Sequence, residues 1–99
     1  MLIQIVLIKL KEGTTESQIK ELHENVLRLK EKIPGINSIS GGSDVSTEKK
    51  NHDFNYGFVM EFNDSKAHDD FLPHPAHKST AEKYIRPIAA DVLLLYYNI

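Results

Sequence analysis

Leu2-Ile3-Gln4-Ile5-Val6-Leu7-Ile8-Lys9-Leu10 is the stretch on which the fold turns. Leucine and β-branched residues fill nearly every position, which suits a pleated strand, and the period of two sorts them onto two faces. Leu2, Val6, Ile8 and Leu10 share one face, Ile3, Ile5 and Leu7 the other. Both faces therefore call for cover. The far end of the chain repeats the pattern, because Asp91 to Ile99 holds Val92, Leu93, Leu94, Leu95, Tyr96 and Tyr97 in succession. These two runs predict an opening and a closing strand, each apolar on both sides.

Between them the period changes. Ile19, Leu22, Val26, Leu29 and Ile33 are spaced three and four apart within Thr15 to Ile33, which predicts an amphipathic helix with one apolar stripe. Thr15 with Gln18 three positions on fits a capping box, and Pro34-Gly35 cannot continue the helix. Ile36 to Gly42 reads as a serine-rich strand and the polar stretch to Asp53 as a loop. Phe54, Tyr56, Phe58, Met60 and Phe62 alternate as in a half-covered strand. Asn63-Asp64-Ser65 offers caps for a short helix to Leu72 that Pro73 and Pro75 stop, and Ser79 with Glu82 predicts a further helix toward Arg86.

The expected order is β-α-β-β-α-β in one domain over residues 1–99, an α+β, ferredoxin-like fold with a four-stranded antiparallel sheet and its helices on one face. The helix-free face would then expose an apolar patch larger than a monomer tolerates, and a symmetric pair of sheets packed face to face removes it. A homodimer through that face is the expected assembly.

Composition narrows the partners. Twelve Lys and Arg against fourteen Asp and Glu leave a net charge of −2, so no positive field attracts nucleic acid. The absence of cysteine removes disulfides and thiolate chemistry. Gln4 and Lys9 interrupt the apolar start, which lacks a cationic leader and a small-residue cleavage site; it reads as a strand, with no membrane partner expected and a cytoplasmic location as the default. No cofactor is expected.

Ile33-Pro34-Gly35, the strand Phe58 to Phe62 and above all Leu72-Pro73-His74-Pro75-Ala76-His77 resemble the stress-responsive A/B barrel family, in order and with similar spacing over nearly the whole chain. The resemblance implies a dimeric α/β barrel whose subunits each hold a cavity between helices and sheet. In the family's cyclase-type members a first-strand histidine and the second histidine of HPxH face that cavity and are assigned to acid–base work. The second corresponds to His77; the first falls on Gln4, whose amide can orient a carbonyl but cannot exchange a proton near neutral pH. A cavity tyrosine of those members is matched by Phe71.

His77 is thus the candidate base and Gln4 its candidate polarising partner, against the alternative that His77 bonds backbone at a turn. Val6, Ile8, Leu22, Val26, Phe58, Met60 and Phe71 complete the helix-facing list. They are the candidate ligand pocket if a void lies among them and a filled core if none does. A small apolar or aromatic molecule is the ligand class such a pocket would take. His74 and His77 could share a metal on a helix, but Pro75 between them argues for an irregular segment and no metal site is expected. His68, beside Asp69 and Asp70, reads as a solvated helix face, and His23 as exposed at the edge of the first helix.

Overall fold

The computed structural model describes all residues, Met1–Ile99. Strand β1 (Leu2–Leu10) lies between β3 (Tyr56–Phe62) and β4 (Ala89–Asn98), and β2 (Ile36–Ser43) pairs outside β3, giving a four-stranded sheet ordered β2-β3-β1-β4. All pairings are antiparallel. The register sets Gln4 opposite Met60 on one side and Tyr96 on the other, and Val6 opposite Phe58 and Leu94. This is the ferredoxin-like arrangement that the order of elements predicts.

Helix α1 (Glu16–Lys32) is closed by the capping box: the Gln18 amide donates to Thr15 Oγ1 at 3.1 Å and the Thr15 amide to Gln18 Oε1 at 2.9 Å. Leu22, Val26 and Leu29 are buried on the sheet, as the stripe predicts. Past Ile33 the chain turns at Gly35, where φ is +88° and an added Cβ would stand 2.6 Å from Ala67 Cβ. Only glycine suits both the backbone and the close approach.

Helix α2 (Ser65–Phe71) is capped by Asp64, whose carboxylate accepts from the Ala67 amide at 2.8 Å. The next helix corrects the sequence reading. Helix α3 (Pro75–Thr80) starts at Pro75 itself, with His74 as N-cap, so the Ser79/Glu82 pair lies inside a helix and does not open one. Pro75 stops α2 and starts α3, because proline at the first helical position forfeits no hydrogen bond and brings the right φ. Glu82 instead approaches Arg86 at 3.6 Å. Beyond Thr80 the helix widens into a π-helical turn, Ala81–Ile85, in which the Arg86 amide donates to the Ala81 carbonyl at 2.9 Å.

The core lies between the helices and one side of the sheet. Phe62, Ile8, Leu22, Met60 and Val26 are its largest fully buried side chains. The helix-free side leaves Leu7, Leu93, Leu95 and Tyr97 exposed. No helix is long and apolar enough to cross a membrane.

Candidate functional site

A cavity of roughly 210 Å³ lies over β1 and β4, beneath α1, α3 and the π turn. Twelve of its fifteen lining residues are hydrophobic; Gln4, His77 and Thr80 are the others, and Tyr96 adds a phenol. Of the residues chosen from sequence, Gln4, Val6, Val26, Phe58, Met60, Phe71 and His77 come together here. Ile8 and Leu22 do not. Both are wholly buried in the packed core, each 0% exposed, and do not line the cavity. A stripe of apolar residues marks the side that is covered but not where the cover leaves a gap.

His77 is the third residue of α3, one turn inside a helix and not ahead of one. Its Nδ1 lies 3.1 Å from the Leu72 carbonyl oxygen. A carbonyl can only accept, so Nδ1 carries a hydrogen, and in the neutral imidazole Nε2 is then the nitrogen with the lone pair. Phe71 stacks against the ring, centroid to centroid 4.1 Å at 34°, and fixes its plane. The backbone bond and an available Nε2 thus coexist, where sequence reasoning had set them as alternatives. His74 turns away: its Nδ1 accepts from the Ala76 amide at 3.1 Å as the helix cap. The segment is helical after all, yet His74 precedes the helix and does not share a helical face with His77.

Gln4, 6% exposed on β1, donates from Nε2 to the Tyr96 hydroxyl at 2.8 Å. The two residues are register partners on adjacent strands, so their side chains leave the same face. Sequence reasoning missed Tyr96 for the site; its signal was the pairing of the two apolar runs, which sets β4 beside Gln4. Thr80, Ala81 and Ile85 were missed too. Five positions separate Thr80 from Ile85, a spacing that would turn one of them well away in an α-helix, and the π turn brings both to the cavity.

Two further histidines depart from expectation. His68 is partly buried and lies edge-on to Tyr96 and Phe62, with ring centroids 5.0 and 5.2 Å apart. Its Nε2 is buried without a hydrogen-bond partner. Burial lowers its pKa, opposed by the Asp69 carboxylate and reinforced by His77. Neighbouring aspartates suggested solvent, but α2 turns His68 inward between Phe62 and Tyr96. His23 is held 2.7 Å from the Tyr56 hydroxyl, and burial pushes that phenol up to about 12.

The fold recurs in known proteins. Olivetolic acid cyclase of Cannabis sativa is 25% identical over 80 residues, covering 81% of this chain and 79% of that protein. A hydroxynitrile lyase from Passiflora edulis superposes with a TM-score of 0.89 at 19% identity over 99% of this chain and 92% of that one. A protein from Thermobifida fusca, described as dimeric and ferredoxin-like, superposes with a TM-score of 0.86 at 18% identity over 99% and 90%. The family model of the stress responsive A/B barrel domain matches residues 2–99, and the chain belongs to that family.

Proposed function

We propose that this chain, as one domain over residues 1–99, binds a small apolar or aromatic molecule with a polar end in the cavity between Gln4, Phe58 and His77. The observation that carries the reading is the contrast inside the cavity: an apolar wall with His77 Nε2 left as a fixed acceptor. The partner of the domain is a second copy, joined through the helix-free face where Leu7, Leu93, Leu95 and Tyr97 stand exposed; the Thermobifida fusca protein, described as dimeric, lends support. We place the protein in the cytoplasm, since a cysteine-free domain gains nothing from an oxidising compartment.

One observation favours catalysis as a second reading. An imidazole with its tautomer fixed by a backbone carbonyl and its free nitrogen at an apolar cavity is suited to take a proton from a bound substrate. A lyase or cyclase on an aromatic or polyketide-like substrate, with His77 as base, fits that arrangement, and the relatives include a cyclase and a lyase. Gln4 would contribute to polarising a carbonyl.

Methyl-resolved NMR tests the cavity directly. Ethylbenzene titrated into the protein is expected to shift the methyl resonances of Val6 and Val26 and leave that of Ile8 in place. Equal shifts at all three, or none, would overturn the binding reading. With a cyclase or lyase substrate in hand, His77→Ala abolishes turnover if the second reading holds.

A further inference from the structure

The polar groups of the cavity leave one question open: what meets the oxygen of a bound carbonyl. Gln4 was the sequence candidate, but one of its two amide hydrogens is already given to Tyr96 at 2.8 Å. That bond has a consequence. The phenol oxygen accepts from Gln4, so the hydroxyl hydrogen of Tyr96 points elsewhere, and no protein group accepts it. Tyr96 lines the same cavity as His77. Its ring is held by His68, edge-on at 5.0 Å, and by its place on β4 opposite Gln4 on β1. A strand-borne ring with two braces is a rigid mount for a donor.

We propose that Tyr96, held by Gln4, is the hydrogen-bond donor that meets the carbonyl oxygen of a small apolar or aromatic carbonyl compound in this cavity. Gln4 is then a positioning residue that acts through Tyr96. The ligand class follows from the chemistry of the wall. Tyr96 supplies a donor, His77 Nε2 an acceptor, and nearly everything else is hydrocarbon. A compound with a carbonyl on an apolar body satisfies the donor, and an acidic hydrogen near that carbonyl satisfies the acceptor. Charged ligands are disfavoured, because no Lys, Arg, Asp or Glu lines the cavity.

This inference rests on the cavity reading above, and its test separates the two. Acetophenone and ethylbenzene have nearly the same shape and differ in the carbonyl, so the pair isolates the donor. Binding is followed by NMR titration of the Val6 and Val26 methyl groups, and the carbonyl stretch of bound acetophenone by infrared difference spectroscopy. In the unmodified protein the stretch is expected below its position in hydrocarbon solvent. Tyr96→Phe returns it to the solvent position and weakens acetophenone by about fivefold, the worth of one neutral hydrogen bond, while ethylbenzene binds as before. Gln4→Leu broadens the carbonyl band as the phenol loses its brace. An unchanged band and affinity in Tyr96→Phe would overturn the assignment of Tyr96 and leave the cavity reading standing. Failure of both probes to bind the unmodified protein would overturn the two together.

Discussion

Strand β1 has two neighbours that present similar side chains to the helices and meet different fates. On β3, Tyr56, Phe58, Met60 and Phe62 are between 0% and 6% exposed. On β4, the inward-facing Val92, Leu94 and Tyr96 are 38%, 55% and 39% exposed. The residues are no more polar on β4. What differs is the place in the sheet: β3 lies inside it, between β2 and β1 and with α2 packed on it, whereas β4 is an edge strand with little helix along it. Within the sheet the side chains are covered, and toward the edge strand the cavity opens. An apolar pattern states what a strand wants, and the helices decide how much of it is supplied.

Truncation gives the sharpest test. Phe62→Ala, on the filled side, is expected to cost about 4 kcal/mol in urea unfolding, the usual range for deleting a buried aromatic ring. Leu94→Ala, on the hollow side, is expected to cost less than about 1 kcal/mol, as for a half-exposed residue. Equal costs would mean that β4 is as well covered as β3 and would dissolve the comparison.

The outer faces answer a second question. If the helix-free side is where two copies meet, Leu7→Asp places an unpaired charge in that contact and weakens the dimer by about 3 kcal/mol, more than a hundredfold in the dissociation constant. Ile5→Asp acts alike. Light scattering on the eluting species would show a single-chain mass; a mass that stays at two chains would move the interface elsewhere.

The smallest effect concerns acidity. His68 lies at the seam of the two halves, between Phe62 and Tyr96, and burial lowers its pKa from the ordinary 6.5. The unfolded chain takes up this proton first as pH falls. The contribution of His68 is therefore complete above about 6.5 and declines as pH drops through that value toward the lowered one. His68→Phe should flatten this part of the stability profile below neutrality, and an undiminished slope would show that the ring is as solvated in the fold as in the unfolded chain.

Much of this was legible beforehand because it is local. The two faces of β1, the stripe and capping box of α1, and the stop at Pro34-Gly35 are written within a few residues of one another. The start of α3 is equally local yet was misread, because His74 caps with an imidazole where serine, threonine, aspartate or asparagine is the usual signal. The partners of His68 and Tyr96 are a different matter. Gln4 and Tyr96 are 92 positions apart, and His23 and Tyr56 are 33 apart. Such contacts depend on strand register and helix rotation. Ile8 and Leu22 were placed in the pocket for the same reason, since a void is a property of how pieces fit and no single piece carries it.

The π turn at Ala81–Ile85 holds one more residue than an α-helical turn would need. Removing a residue between Thr80 and Ile85 would restore regular winding and leave those two four positions apart on one face, because the wide turn absorbs the extra residue locally. Ile85 lines the cavity and Ile88, just past the turn, is 4% exposed in the core, so the wall and its anchor both lie where regular winding would also put them. One codon of length is thus absorbed in the roof of the hollow, with the side chains on either side of it still facing inward.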